Sequence, residues 1–258
     1  MNAIATISAP RTSSNSLIVY ALEAKYEFLR VLRTPAFAAP TLLFPPLFFL
    51  LFGLLMNHGN EGAARYLFAG YSIFGVMAPA LFGFGVGFAM ERERGWLSLK
   101  RVMPMPPGAY LLAKMAMAML FAAIIYVVLA LMARFLAGVR LDVGQWFLLG
   151  AIAVFGAIPF CAIGLMIGAK SNASAAPAFV NLIYLPMAFL SGLWMPLTML
   201  PAFFTQLAPL WPSYHLSQLA QMAIGIQPWS GVEIHIAWIL AEAAVCFAIA
   251  RRWMAKAA

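Results

Sequence analysis

The chain has 258 residues, of which 64% are hydrophobic and 9% are charged. Repeated apolar runs of roughly 20 residues exclude an ordinary soluble domain, because a helix of that length crosses a hydrocarbon core of about 30 Å. The net charge of +8 does not indicate a nucleic-acid partner, since basic residues hold the loops of a membrane protein on its cytoplasmic side. We therefore predict an all-α polytopic membrane protein, in contact with membrane lipid and with no nucleic acid.

The N-terminal residues are polar and lack the apolar core of a cleaved signal peptide. We predict that residues 1–16 form a disordered cytoplasmic tail. In Leu17–Thr34, apolar residues recur at helical spacing, and the other face carries Glu23, Glu27, Arg30 and Arg33. This pattern predicts an amphipathic interfacial helix that lies flat on the membrane, with its cations toward the lipid headgroups.

Six apolar segments that are long enough to cross a membrane follow. They are Phe37–Met56, Tyr66–Met90, Leu111–Ala133, Trp146–Ala169, Ser174–Trp194 and Gly231–Ala250. Several contain proline, which membrane helices tolerate at the cost of a kink. We interpret the pairs Gly83/Gly87 and Gly164/Gly168 as positions where helices pack closely.

The basic residues give an orientation. If the N-terminus is inside, Arg65, Arg134 and Arg140 are outside, and the other 13 of the 16 Lys and Arg residues are inside. This asymmetry predicts that both termini are cytoplasmic. The segment Met195–Trp229 contains no charged residue, and its prolines divide it into pieces too short to span. We predict an outer re-entrant hairpin here, between spans five and six; a seventh span fits less well.

A dense charged segment follows the second span. Seven charged residues lie between Glu91 and Lys114, four of them consecutive as Glu-Arg-Glu-Arg. Such alternation can form ion pairs with a mixed-charge groove, and the adjacent Trp96 and Leu97 supply an apolar anchor. We predict a docking element for a soluble partner; a plain solvated loop is the alternative.

Two blocks of residues resemble a known family. The first block comprises Glu91, Glu93, Gly95, Leu97, Pro104, Tyr110, Leu111 and Lys114. It is similar to the segment after the second span of ABC-2 type transporter permeases. The second block resembles that family's fifth span and outer hairpin, and it comprises Pro186, Leu190, Ser191, Gly192, Leu193, Trp194, Met195, Pro196, Leu200, Pro201, Leu207, Pro212 and Tyr214. Trp96 and Ser98 depart from the family, which commonly has a small polar residue and an acid there.

The resemblance implies that residues 17–258 are an ABC-2 type transmembrane domain, the permease subunit of an ABC exporter in a bacterial inner membrane. Its implied partners are a second permease subunit, as a homodimer or a related heterodimer, and cytoplasmic ATPase subunits that carry ATP and Mg²⁺. The chain itself would bind no cofactor and would not be an enzyme. The implied segment that couples it to the ATPase is Glu91, Arg92, Glu93, Arg94, Gly95, Trp96 and Leu97.

The segment from Gly164 to Ser171 is a near miss to a phosphate-binding loop. Ala169 stands where the second glycine is needed, and the segment ends a membrane span instead of joining a strand to a helix. The ATPase is therefore predicted to be a separate chain.

Polar residues within the spans are candidates for a substrate path. Glu242 lies inside the last span, where an ionisable group costs roughly 2.5–3.5 kcal/mol. Asn181 and Tyr184 lie in the fifth span, although hydrogen bonding between helices explains them equally well. The apolar walls favour an amphipathic or lipophilic substrate.

Two other classes of function were considered. A membrane enzyme or assembly factor would need clustered His, Asp or Glu residues, and a passive channel would need a repeated polar stripe; the sequence has neither. His58, His215 and His235 have no ligand-spaced partners, so no metal site is predicted. Cys161 and Cys246 lie in apolar runs and are predicted to be free, buried thiols.

Overall fold

The computed structural model describes residues 16–97, 99 and 108–256, and all regular structure in these residues is helical. The predicted tail therefore lies outside the described residues, except for Ser16. The helices are α1 (Ser16–Leu32), α2 (Pro35–Phe48), α3 (Glu61–Glu93), α4 (Ala109–Phe135), α5 (Val143–Phe155), α6 (Ala157–Lys170), α7 (Ala176–Leu190), α8 (Ala202–Leu207), α9 (Pro212–Ala223) and α10 (Val232–Lys256). A π-helical turn (Phe49–Leu55) continues α2.

Five helical segments of the described chain are long and apolar enough to cross a membrane. They are Pro35–Leu55, Glu61–Glu93, Ala109–Phe135, Val143–Lys170 and Val232–Met254. The fourth segment consists of α5 and α6, which meet at Gly156. These segments overlap the predicted spans one, two, three, four and six, so the all-helical membrane architecture is confirmed.

The predicted fifth span differs. The sequence pattern extends over Ser174–Trp194, but α7 covers only Ala176–Leu190, which is 15 residues. At 1.5 Å per residue this helix is about 22 Å long, shorter than a hydrocarbon core of roughly 30 Å. The helix stops because Gly192 adopts a left-handed conformation, with φ of 75°, which turns the chain away from the helix axis.

The helix α3 is the centre of the fold. It has 33 residues and packs against α2, α4, α6, α7 and α9. A side chain at Gly164 or Gly168 would collide with the α3 backbone, since an added Cβ would lie 2.9 Å from the Leu81 carbonyl oxygen or 2.5 Å from that of Gly85. On the other side, Gly83 faces Met117 of α4. The interpretation of both glycine pairs as packing positions is confirmed.

The segment after α7 forms short helices, as predicted for the outer hairpin. Besides α8 it contains two single-turn 3₁₀ helices, Leu197–Met199 and Ala208–Leu210. The following α9 is largely buried, because it packs against α3, α5 and α10. The part of this segment nearest α10 is thus inside the fold.

Candidate functional site

A cluster of four ionised side chains joins α1, α3 and α4 at one end of the molecule. The Lys114 ammonium of α4 lies 2.7 Å from Glu27 of α1 and 2.9 Å from Glu91 of α3. Arg30 bonds the same two carboxylates, at 2.6 Å to Glu27 and 2.7 Å to Glu91. Two cations therefore balance two anions, and we call these four residues the ion cluster.

Three of the four members of the ion cluster are buried, with Lys114 0%, Glu91 3% and Glu27 6% exposed, while the Arg30 side chain is 42% exposed. Space for the lysine comes from α3, where Gly87 carries no side chain and an added Cβ would lie 3.4 Å from the Lys114 ammonium. Removing one member of such a cluster leaves an uncompensated buried charge, which typically costs about 3–5 kcal/mol. The cluster therefore fixes α1 against the membrane-spanning helices.

Electrostatic pairing in the ion cluster outweighs the penalty of burial. Burial alone would raise the pKa of Glu27. The charge of the nearby Lys114 and the hydrogen bonds that Glu27 accepts from Arg30 and Lys114 bring that pKa below its ordinary value. Burial would also lower the pKa of Arg30, but the bonds to Glu27 and the charge of Glu91 raise it. The pairing thus favours the charged forms of Glu27 and Arg30.

The polar face of α1 is divided between the protein and the surface. Glu27 is buried against α3 and α4, and Arg30 bonds Glu91 of α3, whereas Lys25 and Arg33 are exposed. Phe28 packs against Phe121 of α4, with ring centroids 5.3 Å apart, while Leu17 and Ile18 near the start of the helix are exposed. That the exposed cations lie toward lipid headgroups stays a prediction.

Glu91, the first residue of the predicted coupling segment, belongs to the ion cluster. Its second carboxylate oxygen also accepts a hydrogen bond of 2.5 Å from the Tyr110 hydroxyl. A side chain with this burial and these partners positions helices, and it offers no free surface to a soluble partner.

The next two residues attach the end of α3 to the loop that follows α6. Arg92 donates to the carbonyl oxygens of Ala169 and Ser171, the second bond being 2.6 Å long. The Glu93 carboxylate accepts a bond of 2.9 Å from the Ala173 amide. The end of α3 is therefore hydrogen-bonded to the end of α6 and to the segment that follows α6, before the chain turns at Gly95.

The remainder of the coupling segment forms an exposed surface. Gly95 has a φ of 73°, a conformation that favours glycine, and it reverses the chain after α3. Trp96 is 42% exposed, and the Arg94 guanidinium lies 5.9 Å from the centre of its ring. Leu97 packs against the core. Arg94 and Trp96 are thus the charged and aromatic groups that a partner could reach.

A small polar cleft opens beside Trp96. Its volume is about 200 Å³, and its lining residues are Glu23, Tyr26, Glu27, Arg30, Glu91 and Trp96. It contains both signs of charge, from Glu23, Glu27 and Glu91 on one hand and Arg30 on the other. The cleft lies between α1 and the coupling segment, so a group bound there would contact both.

A second cavity lies between α2, α3 and α7. It has a volume of about 380 Å³, and both Asn181 and Tyr184 line it, together with aromatic side chains such as Phe48 and Trp194. Tyr184 stacks on Phe74, with ring centroids 5.5 Å apart. The structure thus brings two of the three predicted substrate-path residues to one apolar cavity of ligand size.

Glu242 is elsewhere. It lies on α10 and does not line the cavity of Asn181 and Tyr184. One of its carboxylate oxygens is buried and has no hydrogen-bond partner among the described residues. Its functional role stays a prediction, separate from that of the other two residues.

Sequence reasoning missed two polar contacts. Lys114 was recognised as part of a motif, but nothing in the local pattern indicated that it meets Glu27, 87 positions away. His215 and His235 were treated as isolated, yet their Nδ1 atoms are 2.7 Å apart and join α9 to α10. Both cysteines are free and buried, as predicted.

Comparison with known proteins identifies the family. The profile described as "ABC-2 type transporter" matches residues 20–224, which include the ion cluster, the coupling segment and the cavity of Asn181 and Tyr184. The chain belongs to the ABC-2 type transporter family. It is also 28% identical over 220 residues to "Putative transport permease YvfS" of Bacillus subtilis (strain 168), covering 83% of this chain and 89% of that relative.

Membership of the ABC-2 family makes the chain a transporter permease with several membrane-spanning helices, and it implies an ATPase partner. The matched range begins within α1 and runs through α9. Most of α1 and the short helices that follow α7 are therefore parts of the family domain.

Proposed function

We propose that this chain is the membrane subunit of an ABC exporter, in which a separate cytoplasmic ATPase hydrolyses ATP with Mg²⁺. The observation that carries the proposal is the family match over residues 20–224. The coupling segment supports it, because Arg94 and Trp96 are exposed at the end of the central helix α3. A partner that pushes on these residues would move α3 and, through the ion cluster, α1 and α4.

In this proposal α7 is the fifth of six spans, with α8 and α9 as the outer hairpin. Because α7 alone is shorter than the hydrocarbon core, the turn after Leu190 completes the crossing of the membrane in this proposal. The asymmetry of Lys and Arg supports an orientation with both termini and the coupling segment in the cytoplasm. The proposed location is the inner membrane of a bacterium. α1 lies at the cytoplasmic interface, with its exposed apolar residues in lipid.

The proposed substrate is amphipathic or lipophilic and moves outward. Support comes from the cavity of about 380 Å³, whose lining is aromatic and apolar apart from Asn181, Tyr184 and Thr41. Such a lining binds apolar groups and offers a few hydrogen bonds for orientation. The complete path is proposed to lie in a homodimer, where a second copy supplies its other wall.

The experiment is purification of the tagged protein from native membranes in mild detergent, with identification of the co-purifying chains. We expect a P-loop ATPase with the wild type and its loss in the double variant Arg94→Glu/Trp96→Ala. These residues are preferred to Glu91, because a change at Glu91 would break the ion cluster. The matched control is Arg251→Glu, an exposed cation of α10 near the same end, which should retain the ATPase.

Two results would count against the proposal. An ATPase retained equally by the double variant and the control would move the docking site away from the coupling segment. Recovery of no ATPase, with stable protein and a working positive control, would contradict the proposed exporter subunit itself.

A further inference from the structure

An apolar groove runs between α4 and α5, on a face that the proposed function does not use. Its volume is about 550 Å³, within the range of roughly 300–1,000 Å³ that ligand pockets occupy. Its walls are exposed apolar side chains, among them Val127 and Leu131 of α4 and Phe147 and Phe155 of α5. Both helices belong to membrane-spanning segments, so the medium outside the groove is lipid.

The floor of the groove is held in place. The Tyr126 hydroxyl donates a hydrogen bond of 2.5 Å to the carbonyl oxygen of Trp146. The Trp146 indole donates a hydrogen bond of 3.2 Å to the carbonyl oxygen of Leu141. Gly150 lets the tyrosine ring lie against α5, because an added Cβ would be 2.8 Å from that ring. The groove is thus a formed feature of the α4–α5 pair.

The length of the groove matches one leaflet. On α4 its lining extends from Ala123 to Phe135, and at 1.5 Å per residue this distance is about 18 Å. Half of a hydrocarbon core of about 30 Å is roughly 15 Å. An acyl chain could therefore lie along the whole groove, with its headgroup at the end nearest the α4–α5 loop.

Arg134 is at that end. It is the one charged residue among those that line the groove, and no ion pair among the residues of known placement involves it. A guanidinium binds a phosphate through charge-assisted hydrogen bonds. An apolar channel one leaflet long that ends in an unpaired cation is complementary to an anionic phospholipid.

We propose that the α4–α5 groove binds an anionic phospholipid of the bilayer, with an acyl chain in the channel and the phosphate on the Arg134 guanidinium. A second copy of the chain fits this face less well. A two-fold contact pairs the same surface of both copies, so it would bring two Arg134 cations together, and these repel each other. The proposal does not depend on transport, because the lipid is a bound structural ligand and is not cargo.

The test is lipid binding by the delipidated, full-length protein, measured by native mass spectrometry with phosphatidylglycerol and phosphatidylethanolamine as probes. We expect the wild type to prefer phosphatidylglycerol several-fold, because both headgroups offer a phosphate to Arg134 but only phosphatidylethanolamine also brings an ammonium, which repels the guanidinium. Arg134→Gln should remove this preference. Arg140→Gln, which changes an exposed cation of the α4–α5 loop outside the groove, should keep it.

A second pair of variants tests the channel. Ala151→Trp fills the groove and should reduce the retention of both lipids, whereas Ala241→Trp on the exposed face of α10 should not. Equal melting temperatures and elution volumes of all variants would exclude misfolding as the cause.

Four outcomes of experiments on the purified chain would overturn the proposal. They are an undiminished preference in Arg134→Gln, an equal loss in Arg140→Gln, full lipid retention in Ala151→Trp, and cross-linking of two Phe147→Cys copies through the groove. ATP-dependent movement of the bound lipid across a bilayer by the complete complex would make it cargo, which would also contradict a structural ligand. None of these outcomes bears on the ATPase pull-down, so the two proposals fail independently.

Discussion

The two ends of the helical bundle are held together by different chemistry. At the end of the coupling segment, two carboxylates and two cations form the ion cluster within hydrogen-bonding distance of one another. At the opposite end there is no ion pair among the described residues, and the elements are joined mainly by neutral groups: the Tyr66 hydroxyl bonds the Gly192 carbonyl oxygen, and the Ser191 and Ser213 hydroxyls lie 2.5 Å apart. A charged donor at that end is Arg65, whose guanidinium bonds the Ile224 carbonyl oxygen. There His215 also pairs with His235, at 2.7 Å.

This difference has consequences for how the two ends respond to change. A neutral hydrogen bond contributes only about 0.5–1.5 kcal/mol net, so the elements at the end opposite the ion cluster can tolerate the loss of one bond. A buried charge without its partner costs several times as much. The charged end should therefore move as one unit with α1, while the short helices after α7 can adjust their contacts separately.

The largest expected effect is that of Lys114→Met, which removes the buried cation and leaves Glu27 and Glu91 with only the more exposed Arg30 as a partner within the ion cluster. We expect the free energy of unfolding to fall by about 3–5 kcal/mol, measured as a lowered melting temperature in detergent. The control is the triple variant Glu27→Gln/Glu91→Gln/Lys114→Met, which removes the stranded charges and should recover much of the loss. A single variant as stable as the wild type would contradict a stabilising role for the ion cluster.

A smaller effect is expected from Arg92→Gln. This change removes the charged donor to the Ala169 and Ser171 carbonyl oxygens, and a hydrogen bond to a charged group contributes about 1.5–3 kcal/mol. Amide hydrogen exchange should become faster in residues 171–176. The exposed neighbour changed as Arg94→Gln should leave this exchange unaltered; equal exchange in both variants would argue against the attachment.

At the opposite end, Tyr66→Phe should lower the free energy of unfolding by only about 0.5–1.5 kcal/mol. It removes the hydroxyl that bonds Gly192, and it leaves the ring in place. Tyr26→Phe, at an exposed tyrosine of α1, is the matched control and should have no effect on the melting temperature. If Tyr66→Phe lowered the free energy of unfolding as much as Lys114→Met does, the proposed difference between the two ends would be contradicted.

The smallest expected effect is a pH dependence of the melting temperature that arises from His215 in α9. Burial lowers the pKa of His215 below 6.5, so the unfolded chain takes up a proton at a higher pH than the folded chain. The contribution of neutral His215 is complete above about pH 6.5 and is lost as the pH falls through its folded pKa. Melting temperatures measured from about pH 8 to pH 5 should decrease more for the wild type than for His215→Gln. If the melting temperatures of the wild type and His215→Gln changed with pH in parallel, His215 would not be the cause of the pH dependence.

Much of the architecture could be predicted because it is encoded locally. Apolar length identified five of the helices that are long enough to span, and the prolines of Met195–Trp229 predicted short pieces after α7. The fifth span was overestimated because apolar composition continues through Trp194, whereas the helix is ended by the left-handed conformation of Gly192. Hydropathy counts residues, and it does not register where the backbone turns.

The candidate site was predicted less completely. The charged segment was identified correctly as a distinct feature, and Asn181 and Tyr184 do line one cavity. The prediction could not separate buried Glu91 from exposed Trp96, because adjacent residues of one motif point in different directions at the end of a helix. Nor could it separate Glu242 from the cavity, since helix packing decides which spans are neighbours.

The sequence by itself determined the class of the protein, the approximate positions of most spans, the charge asymmetry and the family resemblance. These properties depend on composition and on spacings within one helix. Only the tertiary structure decided that Glu27, Glu91 and Lys114 meet, that Gly87 makes room for the lysine, and that Arg134 closes an apolar groove. Such contacts join residues on different helices, and they follow from packing geometry that no local pattern specifies.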